Sequence, residues 1–340
     1  MNTTTGTLLC AMGGLAGAIF ALPFRGVKEW KYESGWFVYS IVGLVAFPLL
    51  LAMATVDNLF GLIGGADGAS LGRCFGFGML WGVGGLTWGL MIRYLGIGLG
   101  LAIGCGLCSA TGTLIPPIAT GHAADLVKDA AAIVTLASVG VSLAGIGFVG
   151  FAGMLKEREL DEEAKKKAVA EFNFGKGMMV ALFSGIASAG MNFGLQSGKA
   201  LESAAAQSGV AAQWTGMPVL VVVLWGGFAV NAAWCLWQNA KNSSFGDYAK
   251  PRAANWILAG LAGAIWAMQF ACQKIGEPAM GDMSYISFAV VMGSCVLFSS
   301  LLGIALGEWK GTGAKTRLSL CAGLASLALS IGLAVAAKTL

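Results

Sequence analysis

Charge is what this 340-residue chain has least of. Aspartate, glutamate, lysine and arginine together make up 11% of it, where an average soluble domain carries about 25%. Hydrophobic residues account for 57% and the mean hydropathy is +0.76. A soluble chain of this size could not cover its outside with so few charged groups. A disordered chain would need far more of them and far fewer apolar residues. Histidine is nearly missing, His122 being the single example. No H-E-x-x-H, phosphate-binding loop or acidic metal cluster occurs, so the chain reads as no enzyme, with no cofactor and no metal. It has no nucleotide-binding domain, which excludes a self-contained ATP-driven pump. The net charge is only +4, and the basic residues sit in short loops, so nucleic acid is not an expected partner. The 52 glycines follow no G-X-Y period, which excludes collagen. The eight cysteines lie in or at the edges of apolar runs and read as small apolar residues, not as a disulfide framework. Cys105 and Cys108 form a C-x-x-C without a histidine or a second pair, too little for a metal or redox site.

What the chain does have is long apolar runs. A helix needs about 20 apolar residues to cross the hydrocarbon core. Ten such runs cover about 4–24, 35–55, 73–92, 98–119, 131–153, 177–197, 214–237, 253–273, 284–306 and 317–337. Barrel strands would be about 10 residues long and alternate in polarity, unlike these. The first run has no basic n-region and is followed by Arg25, Lys28 and Lys31, so it reads as a span and not as a cleaved signal peptide. Ten crossings put Arg73, Lys128, Lys199, Lys274 and Lys338 on one side and the other sixteen of the 21 lysines and arginines on the opposite side. The rich side is expected to be the cytoplasm, which places both termini outside.

The longest polar interruption, MLKERELDEEAKKKAVAEFNFGK at 154–176, reads as a cytoplasmic linker carrying a short surface helix. It separates a first five-helix repeat, 1–153, from a second, 177–340. Five is odd, so the halves enter the membrane in opposite senses, the inverted-repeat plan of many secondary transporters. The expected fold is therefore an all-α polytopic membrane protein of ten transmembrane helices in two inverted five-helix repeats. In span 4, Gly96, Gly100, Gly104, Cys108 and Gly112 recur every four residues as a small-residue packing ridge. Pro116-Pro117 should break or end that span near the outer surface, and Pro23, Pro48 and Pro218 should act likewise near other span ends.

Polar residues inside spans are expensive and mark pathways or helix contacts. Span 6 carries Ser184, Ser188, Asn192 and Gln196 at spacing four, and span 8 carries Trp266, Gln269 and Gln273 on one face. Span 3 carries Trp81, Gly84, Gly85 and Trp88 with Thr87 adjacent, span 7 carries Asn231 and Trp234, and Tyr285 and Ser287 open span 9. Amides beside flat indole faces suit a neutral polyhydroxylated ligand, whose hydroxyls need donors and acceptors. A charged substrate would want buried Arg, Lys, Asp or Glu, and the mid-spans contain none. The plainer reading of each amide is a bond to a neighbouring helix. Trp30, Trp36, Trp214 and Trp309, at span ends, read as interface anchors.

Several strings resemble a known family: FALPFRGVKEWKYESGW at 20–36, WGVGGLTWGLMIRYLGIGLGLAIG at 81–104, LKERE at 155–159, EFNFGKGMMVALFSGIASAGMNFGLQSGK at 171–199, Tyr285-Ile286-Ser287, and GEWKGTGAKTR at 307–317. In this order they resemble the L-rhamnose–proton symporter family of the drug/metabolite transporter superfamily, over nearly the whole chain. The resemblance implies a ten-helix bacterial inner-membrane symporter that takes up L-rhamnose or a related sugar with a proton, by alternating access at a central cavity. It makes Trp81, Asn192, Trp266, Gln269 and Tyr285 site candidates, beside Thr87, Trp88 and Gln196 from the stripes. The chain departs from enterobacterial members in carrying Gly85 and Thr87 where they have asparagines, and in lacking a histidine near Cys10.

A proton symporter needs a group that titrates in its cavity. The candidates are Glu33 at the start of span 2, Asp282 before span 9, and His122, with Asp125, in an outer loop. Glu33 and Glu308 sit on the basic side, where the plainer reading is a surface ion pair. Sodium held by carbonyls and hydroxyls would leave a weaker trace, so the coupling cation reads as a proton with sodium as the alternative. The competing function on the same fold is an exporter or facilitator of small neutral metabolites; a membrane-embedded enzyme or structural subunit is a third.

Overall fold

The computed structural model describes residues 3–119, 127–160, 171–280 and 287–336. Among them no strand occurs, and the apolar runs are helical, the conformation in which a segment satisfies its own backbone polar groups inside lipid. The helices are α1 (Thr3–Ile19), α2 (Tyr32–Ser40), α3 (Phe47–Thr55), α4 (Leu59–Gly64), α5 (Gly68–Leu95), α6 (Ile97–Ala119) and α7 (Ala130–Glu159). They continue as α8 (Phe174–Ser188), α9 (Gly190–Ser197), α10 (Lys199–Gln207), α11 (Met217–Lys241), α12 (Ala253–Gly276), α13 (Ser287–Ala305) and α14 (Ala314–Ala336). Seven helical stretches among the described residues are long and apolar enough to cross a membrane. Large apolar side chains such as Leu8, Phe183, Ile257 and Leu318 stand exposed on the outside, where a bilayer solvates them. The protein is a multi-pass membrane protein.

Local sequence sets the helix ends. Asp67, Asp129 and Asn173 each accept a hydrogen bond from the amide three residues on, at Ser70, Ala132 and Lys176, satisfying an orphan donor of the first turn. Pro218 sits in the first turn of α11, where a missing N–H is harmless. Pro48 behaves differently from the expectation that it closes a span. It lies inside the continuous helical stretch Tyr32–Thr55, and a π-turn at Ile41–Ala46 joins α2 to α3 just before it, the usual way of absorbing a proline within a helix. Helix α6 runs through Pro116-Pro117 to Ala119. Helix α7 runs to Glu159, into the segment read as linker, because Glu159 accepts from the Gly313 amide and the Thr316 hydroxyl at the start of α14. Residues 161–170 of that segment lie outside the described residues.

Glycine decides how closely the helices approach. A Cβ on Gly82 of α5 would meet the Gly227 carbonyl of α11 at 2.8 Å, and one on Gly303 of α13 would meet the Gly98 Cα of α6 at 2.8 Å. Gly96 has φ +87°, a value that leaves glycine unstrained, and this single residue joins α5 to α6. On the α6 ridge, Gly100 and Gly104 lie against Met91 of α5. The helices interleave. α1 packs on α12 and α13, α5 on α8 and α11, and α7 on α14. Two buried apolar clusters result. One is built largely from α1, α6, α7 and α13, the other from α2, the first part of α5, α11 and α12. All eight cysteines are free, and only Cys321 is exposed.

Candidate functional site

On the seam between the two apolar clusters lies a chamber of about 60 Å³. One wall is aromatic, from Phe20, Trp36, Tyr39, Trp81, Trp266 and Phe270. Trp81 and Trp266 stack at 5.2 Å between centroids, and Trp36 and Tyr39 at 4.5 Å. The facing wall is Leu101, Cys105 and Cys108 of α6 with Phe288, Met292 and Cys295 of α13. Helical spacing explains the composition. Trp36 and Tyr39, Trp266 and Gln269, and Leu101, Cys105 and Cys108 recur at intervals of three and four residues, so each set shares one helix face.

Polar groups punctuate this apolar box. The Trp36 indole donates to Asn231 Oδ1 at 2.8 Å, and Asn231 Nδ2 donates to the Gly227 carbonyl at 2.9 Å. The Trp88 indole donates to Ser188 Oγ at 2.7 Å. Those groups are occupied by one another. Gln269 also lines the chamber and is 6% exposed, yet among the described residues nothing hydrogen-bonds its amide. The Gln269 amide therefore sits in the chamber wall beside the stacked indoles of Trp81 and Trp266, with its Oε1 against Gly17 of α1.

Of the residues singled out from sequence, Trp81, Trp88, Trp266 and Gln269 line the chamber together. Thr87 does not; its hydroxyl bonds the Gly84 carbonyl and the Ser184 hydroxyl. The span 6 stripe divides because α8 ends at Ser188 and α9 begins at Gly190. Ser188 reaches the chamber, whereas Asn192 is half-buried elsewhere and Gln196 is exposed. Gln273 bonds Ser287 at 3.4 Å, away from the chamber. Tyr285, Asp282, His122 and Asp125 lie outside the described residues. Sequence reasoning missed Phe20, Trp36 and Tyr39. Trp36 was read as an interface anchor because its run seemed to start there, but α2 begins a turn earlier, at Tyr32, and turns Trp36 inward. Trp309, read the same way, is buried too.

A much larger vestibule, about 710 Å³, opens at one end of the molecule. It is lined by Arg25, Lys31, Glu33, Arg93, Asn242 and Glu308 among others, all at the end rich in lysine and arginine. Phe20 and Trp36 line both vestibule and chamber, so these two rings stand between them. The chamber is thus small, while its approach from the basic end is wide.

The two glutamates expected as surface ion pairs are both buried. Glu33 accepts from Asn242 Nδ2 and Ser244 Oγ, each at 2.8 Å. It belongs to a network that pins the start of α2 to the α11–α12 connection. There Asp247 accepts from the Lys31 amide at 2.8 Å, the Ser34 hydroxyl at 2.9 Å and Lys250 Nζ at 2.6 Å. Burial by itself would raise the Asp247 pKa; the Lys250, Lys31 and Ser34 hydrogen bonds and the Lys250 charge outweigh it and hold the carboxyl below its ordinary value. A lowered folded-state pKa means that this stabilisation is present above the ordinary carboxylate range and is lost as pH falls through the depressed value. Asp247→Asn is expected to lower the thermal unfolding midpoint in detergent at neutral pH, by the equivalent of about 1–3 kcal/mol. The difference from the parent protein should shrink on acidification. A midpoint equal to the parent's at neutral pH would show that the network holds nothing together.

Residues 1–337 match the family model described as L-rhamnose-proton symport protein (RhaT). The chain is 34% identical over 321 residues to proteins named L-rhamnose-proton symporter from Salmonella paratyphi B, Salmonella newport and Salmonella agona. Each match covers 92% of this chain and 91% of the relative. No solved structure gives a significant match.

Proposed function

Because the chain belongs to the L-rhamnose-proton symport protein family, we propose that it imports L-rhamnose together with a proton. The observation that carries this reading is the aromatic chamber on the seam between two interleaved helix clusters, where no described residue hydrogen-bonds the Gln269 amide beside Trp81 and Trp266. A pyranose presents C–H faces to indole rings and hydroxyls to an amide, and the chamber supplies both. Among the described residues it supplies no carboxylate or ammonium for a charged substrate.

In this reading Trp81, Trp88, Trp266 and Gln269 bind the sugar. Thr87 positions Ser184, and Asn192, Gln196 and Tyr285 take part only if the helices shift. Adding α6, α13 and α14 to the seven longer stretches gives ten spans. The 1–153 and 177–340 halves are then inverted repeats joined by the 154–176 linker. With the basic end in the cytoplasm and both termini in the periplasm of a bacterial inner membrane, the vestibule is the cytoplasmic mouth. The conformation is then one that has released its sugar inward. Glu33 acts as an anchor in the α2 network, while Asp282 and His122 belong to the periplasmic side.

The test is uptake of labelled L-rhamnose into proteoliposomes. Accumulation above equilibrium is expected under an inward proton gradient, and only equilibration once a protonophore collapses it. Accumulation driven by a sodium gradient instead would replace the coupling ion. Absence of any L-rhamnose flux would overturn the substrate.

A further inference from the structure

Glu308 lies in the turn after α13 and is 2% exposed. Its Oε1 accepts from the Ile97 amide at 2.9 Å and its Oε2 from the Gly98 amide at 3.0 Å, so the carboxylate caps the start of α6. Side chains are cleared away around it: a Cβ on Gly98 or Gly303 would meet Glu308 Oε2 at 3.3 or 3.0 Å. One residue before Ile97 is the positive-φ Gly96 that joins α5 to α6. The carboxylate thus holds the helix at this joint. It also lines the vestibule, so protons can reach it from that side.

Near it lies a second buried charge. Lys156 of α7 is fully buried and, among the described residues, its Nζ has no hydrogen-bond partner. It sits over the rings of Phe172 and Trp309, at 4.9 and 5.0 Å. A buried ammonium without an acceptor is costly unless a nearby negative charge offsets it, and among the described residues Glu308 is the acid whose field it feels. The pair is close enough to influence each other but not joined, an arrangement that makes the energy of the carboxylate depend on its protonation.

We propose that Glu308 is the group whose protonation is linked to sugar movement, with Lys156 the neighbouring charge that sets where it titrates. This rests on the symport reading above. Proton binding forms an O–H bond on one carboxyl oxygen. That oxygen becomes a weaker acceptor, so one amide of the Ile97–Gly98 cap is loosened, and Lys156 loses its counter-charge. Release of the proton into the vestibule restores the cap. The helix so held is the one whose Leu101, Cys105 and Cys108 line the chamber, and Glu308 itself follows α13, whose Phe288, Met292 and Cys295 line the same wall. A sugar that widens the chamber must move this wall, and the carboxylate is fastened to both of its helices.

Among the described residues the charged groups around Glu308 are these. Arg25 stands on the turn after α1, Lys156 on α7 and Lys310 on the same turn; Lys31, Glu33 and Arg93 face it across the vestibule. α6 and α13 contribute no charged residue. Burial pushes the Glu308 carboxyl above its ordinary value, opposed by the Ile97 and Gly98 amides, Lys156 and Arg25.

The experiment compares the full chain with Glu308→Gln and Lys156→Met in proteoliposomes, reading L-rhamnose counterflow without a gradient and accumulation with one. Glu308→Gln is expected to keep counterflow, lose accumulation above equilibrium and lose the pH dependence of exchange. Lys156→Met removes a charge that favours the carboxylate, so its pH midpoint should move to higher pH. Glu308→Gln accumulating like the parent overturns the proposal while leaving the symport reading standing. If Glu308→Gln loses all flux, Lys156→Met decides, and an unmoved midpoint overturns the proposal. Absence of L-rhamnose counterflow in the parent protein defeats the symport reading, and the proposal falls with it.

Discussion

Gln269→Leu is expected to reduce L-rhamnose affinity and uptake by about 10- to 100-fold, the equivalent of about 1.4–2.8 kcal/mol, with little change in thermal stability. The two side chains are similar in volume, so the chamber wall keeps its shape. No described residue hydrogen-bonds the Gln269 amide, so its removal leaves none of the described groups unpaired. The loss falls on the ligand, whose hydroxyls would be desolvated against leucine without replacement bonds. That separation between binding and folding is what distinguishes a ligand contact from a helix–helix contact. If Gln269 instead held its neighbours together, the leucine variant would melt earlier and bind normally once folded. Trp266→Phe is the companion variant. It keeps an aromatic ring near Trp81 but shortens the face, and a smaller loss is expected because part of the stacking survives. Tryptophan fluorescence on titration with L-rhamnose reads the affinities, and a melt in the same detergent reads the stability. Equal binding by parent and Gln269→Leu would remove the chamber as the sugar site.

The largest effect on folding is expected at Gly82. A Cβ there would meet the Gly227 carbonyl at 2.8 Å and the Gly227 Cα at 2.9 Å. Both are backbone atoms of α11, so no rotamer change relieves the clash; the helices must separate. Nearby, Gly227 carries the Trp81 ring against it, so separation also disturbs the chamber wall. Overpacking a tight core costs about 1–3 kcal/mol or more, and leucine adds a whole side chain to a seam built for none. Gly82→Leu is therefore expected to give no monodisperse protein. Gly147→Leu is the control: it lies on the outer face of α7, and a Cβ there meets nothing within 4 Å. That variant should purify and melt like the parent. Identical behaviour of the two would mean that α5 and α11 do not approach as described.

The contrast between these glycines marks the boundary between sequence and structure. Both stand in apolar helices with small or apolar neighbours, and nothing local to either tells them apart. By itself the sequence determined that the chain is a multi-pass helical membrane protein, since the apolar runs leave the backbone no other way to satisfy its hydrogen bonds in lipid. It also determined that Trp266 and Gln269 share a face, and that Trp81 and Trp88 lie along one helix, because residue spacing fixes direction around a helix axis. Only the tertiary structure decided which faces meet. Trp36 turns inward because the Asn231 side chain of α11 receives its indole, and the span 6 stripe stops at Ser188 because the helix is interrupted at Ala189. Glu308 is buried because amides about two hundred positions earlier in the chain need a cap. Spacing acts within one helix; those contacts join segments far apart in the chain, and no periodicity in a single run carries that information.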